Sequence, residues 1–127
     1  MRPLSAIARC ASGAAAIEFA VIASVLVFVC LGVIELGRGL HVRSEMAFVA
    51  DLAARKILIT PAVSDADLQT LVNEAFTGPR PQDIDLTAPV DEGGASRTVT
   101  VQYPFSFLIP SISDTFDITV SRRVPLS

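Results

Sequence analysis

The sequence predicts an α+β protein in which a long N-terminal helix crosses a membrane and runs on into a small domain of one short helix and an antiparallel sheet of about three strands. Three observations predict it. Ala14 to Ile34 is a run of 21 residues, all apolar or small except for a single charge, Glu18. Beyond it Val42, Met46, Val49, Ala53 and Ile57 recur every three or four positions, which lays one apolar stripe along a helix. The last third of the chain alternates apolar and polar residues between turn signals, the pattern of half-buried strands.

The apolar run comes first. At ~1.5 Å per residue it is about 30 Å long as a helix, the thickness of a bilayer's hydrocarbon core. It also absorbs the compositional surplus of a chain that is 51% hydrophobic and 18% charged, and leaves the remainder with an ordinary mixture. The residues before it, 1–13, carry Arg2 and Arg9, no acid, and end in Ser12-Gly13, a short basic leader. A secretory signal peptide fits poorly, because the apolar segment is long for a signal core and Glu35 to Leu40 offers no good cleavage site after it.

Residues 35–60 continue the helix outside the membrane. Arg43, Glu45, Asp51, Arg55 and Lys56 occupy the side away from the apolar stripe, and Asp51 with Arg55 forms an i,i+4 pair worth a few tenths of a kcal/mol, ~0.3. Gly37 and Gly39 predict a bend or a close approach, and Thr60-Pro61 ends the helix. Residues 61–127 form the small domain. Ser64 followed by Asp67 resembles a capping box, Leu68, Leu71, Val72, Ala75 and Phe76 are the buried face of a second helix, and Gly78-Pro79 stops it. Ile84 and Leu86 begin the first strand and Asp91-Glu92-Gly93-Gly94 is a hairpin loop. Val99, Val101, Tyr103, Phe105 and Phe107 then point one way while Thr98, Thr100 and Gln102 point the other, with an edge, bulge or break at Pro104. After a turn containing Pro110 and Asp114, Phe116, Ile118 and Val120 form the inward side of the last strand.

Several functions are disfavoured by the same residues. A net charge of −3 with scattered Lys and Arg argues against nucleic acid as a partner. Cys10 and Cys30 both lie outside the domain, and as members of one helix they would be about 30 Å apart, too far to pair. There is no metal-spaced Cys/His set, phosphate loop or nucleophile elbow, so no cofactor, metal or catalytic residue is expected. A hydrolase would need a pocket around His41, the sole histidine, which falls just past the apolar run, or around the scattered acids.

The residue that points to a function is Glu18. A carboxylate inside a membrane segment costs several kcal/mol (~3) unless it reaches the surface or a cation, so it invites a functional reading. Its setting is Gly13-Ala14-Ala15-Ala16-Ile17-Glu18-Phe19: a basic leader ending in glycine, four apolar residues, a glutamate and an aromatic. This resembles the prepilin peptidase site of type IV pilins in its Flp, or tight-adherence, variant. Glu35-Leu36-Gly37-Arg38 after the apolar run and Tyr103 to Pro110 near the end narrow the resemblance to the TadE-like pseudopilins.

The resemblance implies cleavage between Gly13 and Ala14 by a membrane-embedded prepilin peptidase, removing Arg2 and Arg9. It implies that Glu18, with Phe19 beside it, serves assembly by meeting the N-terminal amine of a neighbouring subunit. It further implies a non-catalytic protein of the bacterial inner membrane with its domain in the periplasm, whose partners are pilin and pseudopilin subunits, the prepilin peptidase, the inner-membrane assembly platform and the lipid bilayer. Lys and Arg counts flanking the run are equal and do not fix this orientation by themselves. Glu35 and Arg38 are spaced to pair on the helix surface or to serve recognition, and Glu18 without a partner would snorkel to the headgroups. An uncleaved, membrane-anchored periplasmic binding or adaptor domain is the rival reading.

Overall fold

The computed structural model describes residues 11–108 and 115–126. Helix α1 runs unbroken from Ala11 to Ile59, α2 covers Asp65–Ala75, a 3₁₀ turn covers Pro81–Asp83, and three strands follow, β1 Asp85–Thr87, β2 Ser96–Phe105 and β3 Phe116–Pro125. The sheet is antiparallel in the order β1-β2-β3. The predicted α+β architecture is therefore what the chain adopts. Two compact units divide it, Met1–Leu36 and Gly37–Ser127.

In the first unit the described part of α1 exposes Ile17, Phe19, Ile22, Val25, Leu26, Phe28 and Val33, and glutamate is its only charge before Glu35. Such a helix is long and apolar enough to cross a bilayer. In the second unit α1 changes character. Val42, Met46, Val49, Ala53 and Ile57, the predicted stripe, are all buried, joined by Ala50. They share one core with Leu68, Val72 and Phe76 of the α2 segment and with Leu86, Val99, Val101, Tyr103, Phe105, Val120 and Val124 of the sheet.

Helix α2 begins as its sequence predicts. The Ser64 hydroxyl accepts from the Asp67 amide at 3.1 Å and donates to the Asp67 carboxylate at 2.8 Å. Its end differs. The helix stops at Ala75 and Phe76 turns extended, ahead of Gly78-Pro79. Gly78 is needed for space: a Cβ there would lie 2.3 Å from the Phe76 ring, which is itself buried and sits 5.2 Å from the Tyr103 ring. Leu71 and Ala75 are only half-buried, so the inward face is narrower than the five predicted residues.

The hairpin loop closes where the glycines place it. The Gly94 amide donates to the Asp91 carbonyl at 2.8 Å, and Gly94 takes φ +67, which glycine adopts without a Cβ penalty. Pro104 does not interrupt β2, which pairs with β3 continuously from Ser96 to Phe105. The Thr98 amide donates to Pro89 on the β1 side, so even-numbered residues of β2 face that side, and β1 ends opposite Gln102. The amide that Pro104 lacks would have faced the side where β1 has already ended. The turn predicted around Pro110 and Asp114 lies outside the described residues.

Polar side chains tie the layers together. Gln69 of α2 donates to the Ile84 carbonyl and accepts from the Leu86 amide, both at 2.8 Å, serving the outer edge of β1. Arg97 is buried in the sheet and donates to the Ala88 carbonyl at 2.7 Å, the Val63 carbonyl at 2.9 Å and the Asp65 carboxylate. Asp51 pairs with Arg122 of β3 at 2.7 Å. The predicted local partner Arg55 is displaced by a residue 71 positions away.

Candidate functional site

Gly13, Ala14, Glu18 and Phe19 all lie on α1 and are exposed. Gly13 is two residues inside the helix start, where few backbone bonds hold the chain, and glycine costs a helix about 1 kcal/mol relative to alanine. Nothing within 4 Å would meet a side chain at Gly13. The Glu18 carboxylate lies among exposed apolar neighbours, Ile17, Phe19, Val21 and Ile22, so in a hydrocarbon setting it would need a cationic partner from another chain or the headgroup region. Leader residues 1–10, with Arg2, Arg9 and Cys10, lie outside the described residues, and Cys30 is a free, exposed thiol.

Glu35 is buried, at 8% exposure. Arg38 is half-buried, with its guanidinium 5.2 Å from the centroid of the Phe105 ring, a cation–π arrangement. At the next residue, a Cβ on Gly39 would lie 3.9 Å from Phe105. Two stretches singled out in the sequence, Glu35-Leu36-Gly37-Arg38 and Tyr103 to Pro110, therefore meet through Arg38 and Phe105. Within the second stretch the Tyr103 hydroxyl donates to the Pro79 carbonyl, and Phe107 stands edge-on to Phe105 at 5.4 Å. Ile109 and Pro110 lie outside the described residues.

His41 is exposed on α1. A groove of about 550 Å³ lies elsewhere, lined by the polar Lys56, Ser64, Asp67 and Glu74 and by the apolar Val63 and Leu71, among others. Its lining holds no histidine or cysteine. Among the described residues no group of His, Cys, Asp and Glu is placed to hold a metal ion.

The residues not singled out by sequence are Arg97 and the Asp91 cluster. Arg97 shares the inward phase of Val99 and Val101, and that parity was the available signal. At the hairpin the Ser96 hydroxyl donates to Asp91, and Arg123 donates to Asp91 at 2.6 Å and to the Ser96 hydroxyl at 2.9 Å. The Ser96 hydrogen bond, aided by Arg123 and opposed by burial, holds the Asp91 carboxyl below the usual carboxylate range. These groups brace the fold.

The structure thus defines a class: a single apolar helix of membrane-anchor type whose amphipathic continuation carries a small α+β domain. Within that class the chain carries a TadE-like segment, since the family model described as TadE-like protein matches residues 13–55. The match starts at Gly13 and covers the apolar run and most of the amphipathic half of α1, about a third of the chain. No curated protein and no solved structure matches.

Proposed function

We propose that the protein is a processed pseudopilin that assists assembly of a Flp-type, tight-adherence pilus. The observation that carries this reading is that the TadE-like match begins at the glycine that ends the basic leader and takes in Glu18. Prepilin peptidase cuts between Gly13 and Ala14 on the cytoplasmic face, and the apolar helix stays with the mature chain as a single span of the bacterial inner membrane. The domain from residue 61 onward lies in the periplasm, on the helical extension of residues 35–60. Glu18 neutralises the new α-amine of a neighbouring pilin or pseudopilin, and the cost of burying an unpaired carboxylate sets the register between helices. Phe19 completes the processing signal. The other partners are the peptidase and the inner-membrane assembly platform. The protein is a substrate of chemistry and performs none.

The test is the N-terminal sequence and intact mass of the protein from membranes of cells with and without the prepilin peptidase. A chain starting at Ala14 only when the peptidase is present is the expected result. Retention of Arg2 and Arg9 in both would overturn the pseudopilin reading and favour an uncleaved, anchored adaptor domain.

A further inference from the structure

The two edges of the sheet are finished differently. The β1 edge is three residues long, and Gln69 holds its Leu86 amide and the adjoining Ile84 carbonyl at 2.8 Å. The β3 edge runs for ten residues, Phe116–Pro125, and among the described residues no strand lies beyond it. Even-numbered residues of β3 stand opposite the odd-numbered residues of β2 that bond to them. The amides and carbonyls of Asp117, Thr119, Ser121 and Arg123 therefore point away from the sheet. Of these groups, the Ser121 carbonyl accepts from the Arg122 guanidinium at 3.1 Å, an exposed bond within the strand. An open row of backbone groups templates another strand, so sheet edges are usually kept short, bulged, charged or covered. β3 pairs with β2 without a bulge, has its proline at the last position and carries no charge between Asp117 and Arg122.

The inward side of this edge is apolar and incompletely covered. Ile118 is half-buried, and Asp51, which holds Arg122, marks the side of α1 that borders β3. Ala47 and Ala54, at i−4 and i+3 from Asp51, lie on that side and are half-buried against the core. A strand with apolar residues at alternate positions would cover all three. A second copy of the chain does not fit. Within the domain α1 keeps pace with β3, from Gly39 beside Phe105 and its partner Phe116 to Asp51 beside Arg122, about 18 Å of helix against about 20 Å of strand. A two-fold pair of β3 edges runs antiparallel and would send the two Gly39 residues to opposite ends, which two chains anchored through α1 in one membrane cannot accept. Head-to-tail addition onto β1 is blocked by Gln69.

We propose that the outer edge of β3 receives an extended strand from another polypeptide, its backbone bonded to Thr119 and Ser121 and its alternate apolar side chains laid over Ile118, Ala47 and Ala54. Main-chain bonds supply the affinity of such a strand addition and the alternate side chains its selectivity. The exclusion of a second copy rests on α1 anchoring each chain in the same membrane. The open edge does not rest on it, and stands whether or not the leader is cut.

The probe is a synthetic peptide alternating valine with threonine between terminal lysines. It is added to the isotopically labelled full chain in detergent micelles, and backbone amide exchange is followed residue by residue. In the protein alone the Thr119 and Ser121 amides should exchange freely, while the Val120 amide, bonded to β2, is slow. With about nine chains in ten occupied, the two outward amides should slow about tenfold, because only the free tenth exchanges. Thr119→Pro removes an amide that β2 does not use and should abolish the protection of Ser121, whereas Thr119→Ala should retain it. No slowing up to the solubility limit of the peptide would overturn the proposal. Equal slowing in Thr119→Pro would put the peptide elsewhere and overturn it too. Outward amides already slow without peptide would also overturn it, showing a second copy on the edge if the effect grows with protein concentration and the chain's own cover if it does not. A Thr119→Pro chain whose Val120 amide exchanges freely has lost its sheet, and the wild-type comparison with and without peptide then decides.

Discussion

Helix α1 is one continuous element with two different surroundings. Up to Leu36 nearly all its described apolar side chains are exposed, Val25, Leu26 and Phe28 by more than half. From Gly37 on, the same helix buries a single stripe and exposes Arg43, Asp51 and Arg55. A helix that is apolar on every side asks for a surrounding apolar solvent, whereas a striped one asks for one partner layer. The contrast shows that apolar residues in α1 do two jobs, and that circumference, not hydrophobicity alone, separates them.

The strongest test of that contrast is a pair of truncations on the one helix. Met46→Ala should lower the unfolding free energy of the domain by about 2–5 kcal/mol, as expected for a fully buried large side chain. Leu26→Ala should leave it within about 0.5 kcal/mol, the range of substitutions outside a packed core. Chemical denaturation of both in the same detergent reads the difference, and equal losses would break the division into two units.

A smaller effect sharpens the picture inside the domain. Arg97→Ala leaves the Val63 and Ala88 carbonyls without their donor, while Asp65, more than half exposed, returns to water. The loss should be about 2–4 kcal/mol in the same assay, below the cost of stranding both members of a buried pair. Arg97→Lys should recover only part of it, because one ammonium cannot reproduce the guanidinium fork.

The smallest effect is one of pH. The folded Asp91 carboxyl is held below its unfolded value, so its contribution is present above the usual carboxylate range, about pH 4, and is lost as pH falls through the depressed folded value. Denaturation midpoints should therefore separate wild type from Asp91→Asn above that range and converge below it. A separation that grows with acid would contradict the Ser96 and Arg123 contacts.

Much of this architecture was legible because it is written locally. The α1 stripe, the Ser64 cap, the glycine turn after Asp91 and the inward phase of β2 each depend on residues within a few positions of one another. What was not legible depends on chain distance. Asp51 takes Arg122 over Arg55 because the folded sheet brings β3 alongside α1, which no helical spacing reveals. The end of α2 shifted because Phe76 is claimed by Tyr103 and turns extended to reach it. Arg97 shares the inward parity of Val99 and Val101, but parity alone does not show the Val63 and Ala88 carbonyls that receive it. Of the proposed site, the Gly13 to Phe19 pattern could be read directly, whereas the meeting of Arg38 with Phe105 needed the fold.

The core joins the α1 stripe to strands made last, and that order has a consequence for biogenesis. Val42 to Ile57 leave the ribosome well before Val99 to Val124, so the stripe on α1 lacks most of its sheet partners until the C-terminal hairpin arrives. Between those two moments the emerging chain presents a sticky helix to its surroundings. A stop codon at the start of β3 would keep Val120 and Val124 out of that core for good, turning a short exposure during synthesis into a standing target for proteases and chaperones.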